Sequence, residues 1–142
     1  MIEAQAYGGG VQSVALAILN ATSRIENPTR LAIFADPGGE EPGTYAHLEI
    51  MRPWLEARGV EVLIRQGAAN ERKAQLGAAL YDYVLRVATA IPVHAETGLG
   101  RRQCTVNWKV ENILAALRER GAGYRRRPAF QYNYSMGRRQ PK

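Results

Sequence analysis

The chain has 142 residues, 46% hydrophobic and 23% charged, which is ordinary globular composition and enough for one domain with a core of its own. A single cysteine, Cys104, excludes an intrachain disulfide framework. With only His47 and His94 beside it, no structural zinc site or iron–sulfur cluster is expected. The net charge of +6 invites a nucleic-acid reading, yet residues 1–123 hold 13 basic and 13 acidic side chains and the excess lies in residues 124–142.

Residues 2–7 alternate apolar positions with Glu3 and Gln5 and predict a first strand. Gly8-Gly9-Gly10 ends it, and a run of helix formers from Val11 to Leu19, nearly all apolar, predicts a buried helix. Asn27-Pro28-Thr29 marks a turn. Leu31-Ala32-Ile33-Phe34-Ala35 is a continuous apolar run, the pattern of a parallel strand buried on both faces, and it stops at Asp36-Pro37-Gly38-Gly39. Residues 44–58 carry Tyr45, Leu48, Met51 and Leu55 at helical spacing, with Gly59 as C-terminal cap and Pro53 expected to kink or divide the helix. Residues 60–64 predict a third strand. Further helical stripes run over residues 71–88 and 106–117, the latter closed by Arg118, Arg120 and Gly121. Strands alternating with helices predict an α/β fold: an open, mostly parallel twisted sheet with helices on both faces, Rossmann-like. No apolar run reaches the roughly 18 residues of a membrane span. The Met1-Ile2-Glu3-Ala4 start has no basic n-region or long apolar stretch of a secretion signal, so the cytoplasm is the expected compartment and no membrane partner is expected.

Ligands of such sheets bind beyond the carboxyl ends of the strands. The turn from Gly8 to Ser13 lies there by construction. Its bare amides and the helix N-terminus suit a phosphate or sulfate, with the Ser13 hydroxyl as a further donor; the same residues also suit a plain strand-to-helix turn. The spacing is neither Gly-x-x-x-x-Gly-Lys-Ser/Thr nor Gly-x-Gly-x-x-Gly. Arg101 and Arg102, in a glycine-containing loop before a helix, can form forked bonds to an anion. Cys104 beside Arg102 reads either as a reactive thiol or as a small packed residue. Glu40 and Glu41 read either as magnesium ligands or as an exposed pair.

Three segments in order resemble one family. Gly8-Gly9-Gly10-Val11-Gln12-Ser13 is similar to the PP-loop, Ser-Gly-Gly-x-Asp-Ser, of the adenine-nucleotide α-hydrolase-like superfamily. Phe34-Ala35-Asp36-Pro37-Gly38-Gly39-Glu40 resembles the reductase-like Phe-Ala-Asp-Thr-Gly-x-Glu segment. Residues 100–111 resemble the later segment in which a cysteine, here Cys104, is followed five residues on by lysine, here Lys109. Together they cover most of residues 2–120 and resemble the phage and bacterial phosphoadenosine phosphosulfate reductase-like proteins. The resemblance implies that Gly8, Gly9, Gly10, Gln12 and Ser13 hold the terminal phosphates of ATP, carried with magnesium, or the anionic groups of a sulfonucleotide. It implies that the backbone near Phe34 and Asp36 meets the adenosine, and that Arg101, Arg102 and Lys109 complete the anion site.

The departures bear on activity. Gly8 and Gln12 stand where the family has serine and aspartate. The family's reductases act through a cysteine in a C-terminal Glu-Cys-Gly segment, and its iron–sulfur subclass carries a cysteine pair near the Cys104 position; this sequence has neither. The expectation is therefore a nucleotide-binding domain over residues 1–123 that cleaves ATP between the α- and β-phosphates and transfers AMP to an acceptor, rather than a reductase. The competing expectation is a catalytically silent nucleotide- or nucleic-acid-binding module. That reading uses residues 124–142, where six basic residues interleave with Tyr124, Phe130, Tyr132 and Tyr134 as phosphate contacts and stacking platforms. The same residues also read as a solvated tail or the remnant of a longer C-terminal region. The oligomeric state stays open, a homo-oligomer included.

Overall fold

The computed structural model describes residues 2–67, 79–86, 94–95, 98–99 and 105–121. Strands β1 (Gln5–Ala6), β2 (Leu31–Asp36) and β3 (Glu61–Gln66) pair in parallel, in the order β1-β2-β3. Gln5 lies opposite Ala32, and Leu31 opposite Glu61. The register explains why β1 is shorter than the sequence pattern suggests. Ala4 falls opposite Leu31, the first residue of β2, so Ile2 and Glu3 extend past the end of their neighbour. At the other end, Tyr7 continues the ladder through an N–H···O bond of 2.9 Å to the Ile33 carbonyl.

All six residues of β2 are buried, as its unbroken apolar run requires. Its side chains divide by parity between two faces. Ala32 and Phe34 join Val62, Tyr7, Ala17, Ala21, Leu48 and Leu55 in one cluster; Leu31 and Ile33 join Ala116 and Leu117 in another. The first cluster is covered by α1 (Val11–Ala21) and α2 (Pro42–Glu56), and the second by a C-terminal helix, residues 111–119. The architecture is α/β, an open parallel sheet with helices on both faces. Between these come α3 (Leu80–Arg86) and a two-residue antiparallel ladder of β4 (His94–Ala95) with β5 (Gly98–Leu99). A π-helical turn over Thr105–Val110 then leads into α4 (Glu111–Glu119). Only Leu80–Arg86 of the helix expected over residues 71–88 lies among the described residues as helix. No helix among the described residues is long and apolar enough to cross a membrane.

Two expectations need correction. α1 is not buried all round: Val14, Ala17 and Ala21 face the sheet, while Val11 is 88% exposed and Ile18 and Leu19 are each more than one-third exposed. Pro53 does not divide α2, which runs through it to Glu56. It sits in the last turn, where it forfeits a single amide donor, and its own carbonyl still accepts from the Ala57 N–H at 3.0 Å. Gly59 closes α2 as expected. Its φ of +75° allows the Gly59 N–H to reach the Glu56 carbonyl and the Val60 N–H to reach the Leu55 carbonyl, a Schellman pair.

Leu55 is fully buried, whereas Ile50 on the same helix is 69% exposed. Leu55→Ala is expected to lower the unfolding free energy by about 2–5 kcal/mol in urea denaturation, and Ile50→Ala by less than about 0.5 kcal/mol. Similar losses from both would contradict this placement of α2.

Candidate functional site

The loops after β1 and β2 meet at the carboxyl end of the sheet. Gly10 precedes the first turn of α1 in an extended conformation and, being glycine, offers that helix no side-chain cap. The Ser13 hydroxyl is turned into the loop: it donates to the Gly10 carbonyl at 2.9 Å and accepts from the Gly8 N–H at 3.3 Å. It thereby holds the turn in shape, while Gln12 is exposed on the first turn of the helix. Gly9 has a φ of +72°, and a Cβ there would stand 2.7 Å from the Thr44 methyl and 3.9 Å from the Phe34 ring. The turn therefore rests on the first residues of α2, and the two helix N-termini lie side by side.

Those two termini differ electrostatically. The Glu41 carboxylate accepts from the Gly43 N–H at 3.0 Å, with Pro42 at the first helical position, so α2 carries its own anion at its positive end. α1 has no equivalent. Its N-terminus presents backbone amides and half a positive charge beside three glycines, the arrangement that favours an external anion.

A buried amide relay holds α1 to the sheet. The Gln5 side-chain amide donates to the Ser13 carbonyl at 2.6 Å. The Asn20 amide donates to Gln5 Oε1 at 2.9 Å, and the Thr29 N–H donates to Asn20 Oδ1 at 2.7 Å. Gln5 and Asn20 are 6% and 2% exposed. Alternation had placed Gln5 on the solvent side of β1; it faces inward with Tyr7 because the relay satisfies it, and Ala6 takes the exposed position. An asparagine among the apolar residues of α1 is the sequence signal for this relay. A buried amide needs a buried partner.

The loop after β2 is organised by Asp36. Its carboxylate is buried and accepts from the Gly38 N–H (2.8 Å), the Tyr45 hydroxyl (2.6 Å) and the Gln66 amide (3.4 Å). The Phe34 ring is buried beneath the glycine turn. Burial, and then the hydrogen bond to Asp36, raise the Tyr45 pKa; burial alone raises that of Tyr7.

Lys109, 69 residues further along the chain, reaches this loop and pairs with Glu40. The π-helical turn carries it there. Trp108 is 1% exposed and meets Tyr83 edge to face at 5.3 Å. The Asn112 amide donates to the Trp108 carbonyl at 2.7 Å and the Gly67 carbonyl at 2.5 Å, tying the turn to the end of β3. The structure thus brings together Gly8, Gly9, Gly10, Gln12, Ser13, Phe34 and Asp36 at one end of the sheet, with Lys109 over the second loop. Arg101, Arg102, Cys104 and the basic residues 124–142 lie outside the described residues. Among the described residues no cluster of three His, Cys, Asp or Glu side chains is arranged to hold a metal. An open groove of about 530 Å³ lies at the opposite, amino end of the sheet, lined in part by Arg30, Glu61 and Arg120. There the Arg120 guanidinium holds the Glu61 carboxyl below its usual range. No family model matches the chain, and no curated protein and no solved structure matches it.

The strain at Gly9 makes one prediction specific. Gly9→Ala is expected to cost about 1–3 kcal/mol in urea denaturation, whereas Gly8→Ala and Gly10→Ala, where a Cβ meets open space, stay within about 0.5 kcal/mol. Equal costs at the three positions would contradict the close approach to Thr44.

A second prediction concerns alkaline pH. A tyrosine in the unfolded chain loses its proton near pH 10, but folded Tyr45 retains it to higher pH. Its contribution to stability is complete below about pH 10 and is lost as the pH rises through the raised folded value. Tyr45→Phe is therefore expected to flatten, without abolishing, the decline of unfolding free energy above pH 10, because Tyr7 still titrates. An unchanged slope would contradict the Asp36 contact.

Proposed function

We propose that this chain is a PP-loop-type nucleotide-binding domain, reductase-like and Rossmann-like, that binds ATP or a related adenine nucleotide at the turn from Gly8 to Ser13. One observation carries the proposal: the N-terminus of α1, opened by three glycines at the carboxyl end of the sheet, has no side-chain cap, while the adjacent α2 is capped by Glu41. A phosphate at α1 would meet convergent amides and a helix dipole in a turn already shaped by Ser13. Lys109, paired with Glu40 of the second loop, is proposed as a cation for that phosphate, together with Arg101 and Arg102. Magnesium enters with the phosphates as part of the substrate.

The chemistry suited to such a site is cleavage between the α- and β-phosphates with transfer of AMP to an acceptor. Amides fixed before the reaction stabilise the charge that develops on the phosphates. The proposal includes no sulfonucleotide reduction.

Isothermal titration of the folded protein with ATP, AMP and adenylyl sulfate tests the proposal. ATP is expected to bind more tightly than AMP, which lacks the terminal phosphates. Absence of binding by all three would overturn the reading.

A further inference from the structure

We propose that Glu40 is a built-in competitor for the anion site, holding Lys109 in the ligand-free protein and yielding it only to a polyanion. The inference rests on the nucleotide reading above and deepens it by naming what selects the ligand.

Both partners are delivered from anchored backbone. The Glu40 N–H donates to the Tyr45 hydroxyl at 3.2 Å, and that hydroxyl is bonded to buried Asp36. Lys109 follows buried Trp108 on the π-helical turn that Asn112 pins to Gly67. Their ion pair is therefore an arrangement imposed by the fold and not a chance meeting of two long side chains. It is also within reach of solvent: the Lys109 side chain is 40% exposed and that of Glu40 is 21% exposed. A dissolved anion can approach the ammonium without unfolding anything. Asp36, the other carboxylate of the loop, is engaged by its three donors and does not replace Glu40 when the pair opens.

The selectivity follows from charge. A ligand that takes Lys109 must break a carboxylate–ammonium pair and leave Glu40 to solvent. A diphosphate or triphosphate group carries enough charge to offset that exchange, whereas the single phosphate of AMP gains less from it. Glu40 thereby favours ligands bearing a pyrophosphate unit.

The test is titration of inorganic pyrophosphate and ATP into the wild-type chain, Glu40→Gln, Glu40→Ala, Lys109→Met and the Glu40→Gln/Lys109→Met pair, each checked for folding by thermal melting. Both Glu40 variants are expected to bind about three- to fivefold more tightly, the size allowed by a partly exposed ion pair. Lys109→Met is expected to bind more weakly, and Glu40→Gln to bring no gain in its background. Binding by the Glu40 variants alone, with none by the wild type, also supports the proposal. Wild-type binding that is unchanged or weakened by Glu40→Gln and Glu40→Ala would overturn it while leaving the nucleotide reading intact, and would make Glu40 a positioning residue for Lys109. No binding by any variant overturns both.

Discussion

A strand buried on both faces has no water to satisfy its polar groups, and β2 imposes that constraint on everything around it. Its backbone must pair on both edges, so β1 and β3 flank it in parallel. Both of its faces must be covered, so α1 and α2 take one side and α4 the other. Its last residue, Asp36, brings a carboxylate into the buried layer. The three donors that satisfy it come from its own loop, from α2 and from β3. The loop after β2 is thus fixed in three directions, and the position of Glu40 and the N-terminus of α2 follow from it.

Parallel pairing then decides which loops share one end of the sheet. With all three strands running the same way, the glycine turn after β1 and the loop after β2 emerge at one end, and the α1 and α2 N-termini meet at Gly9 and Thr44. The two termini have opposite electrostatic outcomes. Glu41 caps α2 at the Gly43 amide, and the N-cap of α1 is Gly10, which has no side chain to do the same. That asymmetry is what the proposed anion site rests on. The Gln5–Asn20 relay supports it from below by fixing the first turn of α1 through the Ser13 carbonyl.

Much of this was legible in the residues. The unbroken run from Leu31 could only be a buried strand, the three glycines had to end β1, and Gly59 and Gly121 stand where helices stop, each with positive φ. What was not legible depends on contacts between distant segments. The apolar character of α1 predicts burial, but the sheet covers one stripe, which leaves Val11 and Ile18 exposed. The engagement of the Asp36 carboxylate was not legible, because its three donors lie two, nine and 30 positions away. The part Ser13 plays in closing the turn was not legible, because it appears only once Gly8 folds back over it. The Glu40–Lys109 pair spans 69 positions, and no periodicity within either segment anticipates it.

The amides of the glycine turn are the proposed anion site. A ¹⁵N NMR titration of the full chain with ATP and magnesium reads those amides one at a time. The account predicts saturable shifts concentrated at Gly8, Gly9, Gly10, Val11 and Gln12. Amides around the amino-end groove, such as those of Arg30, Glu61 and Arg120, should remain unmoved. Shifts confined to that groove, or to residues 124–142, would contradict it.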